Sequence, residues 1–430
     1  MRRGAHASGA KALASGAKAL AGAADDALAR GVRLMQRKAF ADAARLFERA
    51  AAASPGDAEA RALLGEAYLR LGRLDDAEAA TRAAAALCPD EPDLLASLAR
   101  QIAQRGRTVE AIGWYRRAAS LDPAHRSASE LAEARSQVTT SIHAWHLPML
   151  ADAARNDAFQ AAIEAAVRPG DVVLDIGTGS GLLAMMAARA GARHVYACER
   201  EGNLAALARL VVAENGLASR VTVVAKDSQA MAVPADMPER ATLLVTETFD
   251  SLLIGEGALA SIAHAREALL APGARTIPRA GTVRGQLGSL PRLKALHPLR
   301  GLNGFSLRAL ADHALEKQFY PVFLEREAWT PLSEPFDLLR VEFASPFELR
   351  REWMVRVPVT ASGRLQVLAL WLELDLGEGC VLSAGPGGDC HHWNQVAYLL
   401  DAEHDAGVGV PVTVRCRMDG QVMQFAAGPE

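Results

Sequence analysis

A chain of 430 residues is long enough for two or three domains with substantial cores. Its 50% hydrophobic and 23% charged content is ordinary for a globular protein, and a formal net charge of −3 makes no electrostatic case for nucleic acid as a partner. The five cysteines (Cys88, Cys198, Cys380, Cys390 and Cys416) form an odd, scattered set without metal spacing, which reads as reduced thiols in a cytoplasmic protein, with no metal expected. No apolar run approaches the roughly eighteen residues of a membrane helix, so no membrane partner is expected.

Residues 1–24 repeat ASGAKAL with small variations, are basic and Ala-rich, and lack the apolar core of a signal peptide. They read as a flexible leader. Residues 25–125 carry an internal repeat: Pro55, Pro89 and Pro123 stand 34 residues apart, as do Ala43, Ala77 and Ala111, and Ala50, Ala84 and Ala118. Gly72 and Gly106 keep the same step, with Lys38 in the first copy. Small residues at fixed positions let two helices approach closely, and a closing proline stops the second. Three such copies predict a tetratricopeptide solenoid, a surface suited to an extended peptide partner or to bracing the rest of the chain.

Residues 126–142 read as a polar linker helix. Residues 143–280 alternate strands and helices. The clearest stretch is Val172–Glu199: an apolar run, the turn Gly177-Thr178-Gly179-Ser180-Gly181, the helix Leu182–Arg189, and a second apolar run ending in Glu199. A strand, glycine-rich turn, helix and strand closing on a carboxylate predict a nucleoside site, with the acid on ribose hydroxyls. The third glycine comes one residue too early for the dinucleotide fingerprint. Further strands are expected at Val221–Ala225, Leu243–Thr246 and Arg275–Pro278, with a turn at Ala271-Pro272-Gly273. This is a Rossmann-like α/β pattern. In residues 281–430 short alternating runs dominate, at Leu338–Phe343, Met354–Val359, Val367–Leu376, Val412–Cys416 and Gln421–Phe425, with helical patterning only near Ser306–Glu316. They predict an antiparallel, barrel-like β domain.

Glu247 and Glu256 bracket TFDSLLIG just after a strand, where open α/β sheets bind ligands. Nine residues apart, they cannot share one helical face, but a loop can bring them together. The pair could serve as general acid and base, hold a metal, or clamp a guanidinium, whose forked donors match carboxylates.

Four segments resemble protein arginine methyltransferases, in family order across about Trp145–Tyr398. Thr246–Glu256 resembles their double-glutamate loop, His146–Asn156 the segment that covers the cofactor, Asp175–Gly181 the cofactor loop, and His392-Trp393-Asn394-Gln395 the Thr-His-Trp loop. The likeness is closest to the branch with tandem methyltransferase domains, one member of which also carries N-terminal tetratricopeptide repeats. His391 stands where the family usually has threonine.

The resemblance implies S-adenosylmethionine as cofactor and the class I methyltransferase fold for the α/β part. It implies that Arg155 pairs with the methionine carboxylate, Glu199 with the ribose, and Asp227 and Ser228 with the adenine region. Gly177, Thr178, Gly179 and Gly181 would line the cofactor loop, supported by Asp175. Glu247 and Glu256 would hold the substrate guanidinium, with the pair His392–Asp152 behind them. Met149, Trp393 and His146 would shape the substrate pocket; Asp250, by its residue type alone, reads as a loop cap or turn acid. On this reading Glu247→Gln abolishes transfer to arginine peptides and leaves cofactor binding nearly intact. One methyltransferase unit stands where the nearest branch has two, so either a homodimer supplies the second, with a dimerising arm near Gly304–Glu316, or the repeats brace the active domain. Two alternatives stay open: a methyltransferase acting on a small molecule or another side chain, and a repeat scaffold whose methyltransferase domain no longer catalyses.

Overall fold

The computed structural model describes residues 24–296, 301–309, 319–388, 390 and 392–429. The leader through residue 23, His391 and the greater part of the expected helix at Ser306–Glu316 lie outside them. The chain divides into two compact units, Met1–Ile142 and His143–Glu430.

The first unit is entirely helical in its described residues: α1 over residues 24–36, α2 (Phe40–Ala53), α3 (Ala58–Arg70), α4 (Leu74–Leu87), α5 (Pro92–Gln104), α6 (Thr108–Leu121) and α7 (Ser127–Thr140). The alanines on the 34-residue period, Ala43, Ala77, Ala111, Ala50, Ala84 and Ala118, are all completely buried, so the repeat marks where helices touch. Helices α2, α4 and α6 each stop two residues before a periodic proline. Gly72 and Gly106 turn the chain at φ of +73° and +75°, and Lys38 holds the same left-handed turn at +60°, where a side chain costs about 1 kcal/mol more than glycine. Buried Glu78 accepts hydrogen bonds from Arg82, Arg105 and Arg107, tying α4 to α5 and α6. Burial raises the Glu78 carboxyl, but Arg82 and Arg107 outweigh it and hold the group below its ordinary value.

The second unit opens with α8 (His146–Ala151) and α9 (Ala153–Ala166). A parallel sheet follows, built from β1 (Val172–Ile176), β2 (His194–Glu199), β3 (Val221–Ala225), β4 (Ala241–Thr246) and β5 (Leu270–Ile277) in the order β3-β2-β1-β4-β5. The connections run through α10 (Leu182–Arg189), α11 (Gly202–Glu214) and α12 (Ala258–His264). The order reverses between β1 and β4, so a crevice opens beyond their carboxyl ends, where such sheets bind ligands. The turn expected at Ala271-Pro272-Gly273 is instead absorbed into β5 as a register shift against β4 between Ala241 and Leu243.

The remainder is antiparallel. Its strands are β6 (Ala280–Ser289), β7 (Gly301–Leu302), β8 (Phe305–Ser306), β9 (Phe319–Val322), β10 (Thr330–Pro331), β11 (Phe336–Glu342), β12 (Arg350–Val357), β13 (Gly363–Gly377), β14 (Cys380–Ser383), β15 (Gln395–Ala406), β16 (Val412–Asp419) and β17 (Val422–Pro429). One sheet runs β10-β6-β13-β15-β9, with β11 added to β6 and β14 to β13; a second runs β12-β16-β17. The long strand β13 contains the alternating run expected at Val367–Leu376 and is buried on both faces over most of its length, while β6 and β15 are not legible in the sequence for want of a clean period of two. A short helix, α13 (Pro291–Leu296), has no clear sequence signal either. No helix among the described residues is long and apolar enough to cross a membrane.

Candidate active site

The turn after β1 is fixed by sterics. Gly177, Gly179 and Gly181 all have positive φ, and a Cβ on Gly177 would lie 2.1 Å from Thr248 Cγ2. The N–H groups of Gly177 and Thr178 donate to the Cys198 carbonyl at 3.0 Å each, which binds the turn to the end of β2. Asp175 is buried beneath the turn and accepts from Thr178 Oγ1 at 2.6 Å. Burial pushes its carboxyl up to about 6, against the Thr178 bond and the charge of Arg155. Glu199, at the end of β2, accepts from the N–H of Gly179 (3.1 Å) and of Glu201 (3.0 Å), so its carboxylate is held at the crevice edge. Asp227 caps the short turn Ser228–Ala230 through Gln229 N–H at 2.8 Å, with Ser228 buried beside it.

A cavity of about 190 Å³ lies beyond β4, lined by Trp145, Met149, Glu247, Glu256, His392 and Trp393 among others. The loop that carries the two glutamates folds around Asp250, whose Oδ1 accepts from Leu252 N–H (3.1 Å) and Gly255 N–H (2.9 Å). Gly255 is obligatory there, since a Cβ would stand 2.4 Å from Asp250 Cγ. Leu253 and Glu256 take φ of +70° and +56°, turning the chain back so that both acids face one cavity. Glu256 is raised above the ordinary carboxylate value, first by lost hydration and then by Glu247 and Asp250, with Arg200 and His143 opposing. Trp393 donates Nε1–H to the Phe249 carbonyl at 3.0 Å and so anchors the β-domain loop on this one.

Behind Glu247 lies a buried polar chain. Asp152 caps α9 by accepting from Arg155 N–H at 3.1 Å through Oδ1. Its Oδ2 accepts from His392 N–H (3.2 Å) and Nδ1 (3.1 Å). A carboxylate has no proton to give, so Nδ1 carries the hydrogen and Nε2 faces Glu247 Oε1 at 3.7 Å, buried without a hydrogen-bond partner among the described residues. The Arg155 guanidinium bonds to Glu247 Oε2 at 2.5 Å and to Asn156 Oδ1 at 2.9 Å, and its Nε is likewise buried without a partner among the described residues.

Three features are not legible in the sequence. The Arg155–Glu247 pair joins the two halves of the site, so Glu247→Gln cannot be expected to leave the cofactor side untouched. Cys390 touches both Asp152 (3.6 Å) and His392 Nδ1 (3.2 Å); the run Asp389-Cys390-His391-His392 is the available signal. Trp145, not His146, lines the cavity. His146 is buried and stacks on Trp145 with ring centroids 4.0 Å apart, directly behind that lining residue.

The sheet order, the glycine-rich turn and the acid ending β2 define a nucleoside-binding enzyme with the class I methyltransferase fold. Comparison with known proteins narrows this. Residues 34–102 match the tetratricopeptide repeat family, and residues 159–244 match the ribosomal protein L11 methyltransferase (PrmA) family. An arginine N(omega)-methyltransferase of Streptomyces achromogenes subsp. streptozoticus is 37% identical over 285 residues, which cover 66% of this chain and 79% of that one. Protein arginine N-methyltransferase 7 of Danio rerio is 33% identical over 65% of this chain and 45% of its own, and protein arginine N-methyltransferase 9 of Mus musculus 31% identical over 61% and 35%. The chain therefore spans less than half the length of those two relatives. The fold is shared with the Trypanosoma brucei PRMT1 enzyme–prozyme complex, at a TM-score of 0.59 and 20% identity over 67% of this chain and 94% of that one. The chain belongs to the arginine N-methyltransferase family.

Proposed function

We propose that this protein transfers a methyl group from S-adenosylmethionine to a terminal guanidinium nitrogen of arginine in protein substrates. The observation that carries the reading is the arrangement of Glu247 and Glu256 on one cavity whose wall, through Arg155, reaches the nucleoside crevice. The crevice suits that cofactor: Glu199 is a fixed carboxylate for ribose hydroxyls, Gly177 in the glycine turn has no room for a side chain, and the buried Arg155 Nε is a donor for an amino-acid carboxylate. When bound, S-adenosylmethionine supplies an electrophilic methyl group.

The residues of the chain supply positioning and charge. Glu247 and Glu256 grip the guanidinium, orient one terminal nitrogen and draw positive charge toward the others. Arginine is not deprotonated near neutral pH, its pKa being above about 12, so the proton leaves as the new bond forms. Glu256, raised and at the cavity wall, is one acceptor, and the Asp152–His392 pair through the open Nε2 is the other. Met149 sets the width beside the guanidinium. The repeats recruit the protein substrate or a peptide partner, the enzyme works in the cytoplasm, and a second copy of the chain completes it as a homodimer.

A second reading is favoured by one relative: the Streptomyces protein is named for arginine, not protein arginine. On that reading the acceptor is free arginine. Incubating the full chain with methyl-labelled S-adenosylmethionine and either arginine-rich peptides or L-arginine, then analysing the amino acids, separates the two. Label in peptide methylarginine supports the proposal, label only in free methylarginine supports the second reading, and label in neither overturns both.

A further inference from the structure

Cys390 is buried, takes no part in lining the cavity, and lies against two residues that the reaction uses. Its Sγ is 3.6 Å from Asp152 Oδ2 and 3.2 Å from His392 Nδ1, and those two atoms are 3.1 Å apart. Three donors of three chemical kinds thus form a small, nearly equilateral triangle. Tetrahedral zinc, with bonds of about 2.0–2.3 Å to nitrogen, oxygen and sulfur, sets neighbouring donors about 3.3–3.6 Å apart. The triangle is one face of such a tetrahedron before any ion is added. The Asp152 and His392 side chains are each only 5% exposed, so the donors are held by packing and not by surface chance.

We propose that Asp152, Cys390 and His392 form an inhibitory site for a thiophilic divalent cation of the zinc class. A thiol and an imidazole with one carboxylate select such a cation over the hard, all-oxygen preference of magnesium or calcium. Binding breaks the Cys390 S–H bond, whose proton leaves to solvent, and shifts the single proton of neutral His392 from Nδ1 to Nε2, so that sulfur and Nδ1 each gain a bond to the metal. A coordinating thiol is deprotonated outright, so the proton that burial keeps on Cys390 does not prevent capture. With Nδ1 and Asp152 Oδ2 taken by the ion and Nε2 already carrying the ring proton, His392 can no longer accept a proton at Nε2 and relay charge to Asp152. The acceptor cavity keeps its two glutamates but loses the buried pair behind them.

The site itself stands apart from the proposed reaction; only its inhibitory effect rests on methyl transfer. The test uses the full chain, reduced with a non-thiol reagent, and Co²⁺ as a spectroscopic stand-in for Zn²⁺. The wild type is expected to take up one ion with a thiolate-to-cobalt charge-transfer band and a tetrahedral spectrum. Cys390→Ser and Cys390→Ala should lose the band and bind Zn²⁺ at least tenfold more weakly, while Cys88→Ser, an exposed thiol, keeps both. Absence of the band in the wild type, or its persistence in both Cys390 variants, overturns the site. Where methyl transfer is measurable, Zn²⁺ at one equivalent should inhibit the wild type and spare Cys390→Ser; equal inhibition of both overturns the regulatory role. The cobalt spectrum is read without any turnover, so failure of the site and failure of the methyl-transfer reading are told apart.

Discussion

Replacing Asp152 by asparagine probes the buried chain with almost no change of shape. The wild-type carboxylate accepts from Arg155 N–H on one oxygen and from His392 N–H and Nδ1–H on the other. Asparagine keeps only one oxygen. If that oxygen faces Arg155, the amide NH₂ confronts the His392 donors; if it faces His392, the helix cap is lost. Either way at least one buried N–H is orphaned, which costs about 1–3 kcal/mol of stability. His392 also loses a charge-assisted bond of about 1.5–3 kcal/mol that fixes its tautomer, and at 1.36 kcal/mol per decade this lowers kcat/KM about 10- to 150-fold. Urea unfolding and steady-state methyl transfer measure the two effects side by side. A folded D152N enzyme within threefold of wild-type kcat/KM, at unchanged stability, would rule out the role given to this pair.

Gly177→Ala must accommodate a Cβ 2.1 Å from Thr248 Cγ2 at a φ of +72°, so unfolding in denaturant should show a loss of about 2–5 kcal/mol, and cofactor titration a weaker affinity. Glu256→Gln removes a carboxyl whose native pKa is raised, so the native state binds its proton more tightly than the unfolded chain does. The group therefore opposes folding above its native pKa, and this opposition fades as pH falls through that value; the variant should melt at or above wild type at neutral pH, the gap closing in acid, while transfer activity is lost. In the solenoid, Glu78→Ala should destabilise by about 1–3 kcal/mol, the figure being held down because the three arginines are partly exposed and regain water. Since Glu78 is held below its ordinary pKa, its contribution is present above the unfolded value of about 4.3 and lost as pH falls further, so the wild-type and variant melting curves should converge in acid.

The sequence is most legible where chemistry and geometry coincide locally. The 34-residue spacing of alanines identifies the helix contacts, because a close approach admits only small residues. The strand–turn–helix around Gly177 can be read for the same steric reason. The two glutamates are visible as a pair, but not the backbone that unites them, which depends on Asp250 and on two non-glycine residues at positive φ. The Arg155–Glu247 and Cys390–Asp152 contacts join residues 92 and 238 positions apart, and no local pattern announces them. Long β13 is legible as the run Val367–Leu376, but the burial of both its faces is not.

The Arg155–Glu247 pair also changes which variant is the sharpest probe. Both side chains are almost fully buried, so Glu247→Gln strands a buried guanidinium and disturbs cofactor and acceptor sites together. Glu256 has no such tie to Arg155. The decisive experiment is therefore methyl-label transfer by wild type and Glu256→Gln to arginine-rich peptides, with product amino-acid analysis and cofactor affinity determined on the same samples. The wild type should place label in the guanidino group of arginine, and the variant should lose at least a hundredfold in transfer with cofactor affinity within threefold. Label on another side chain, or a variant as active as the wild type, would be incompatible with two glutamates that grip a guanidinium.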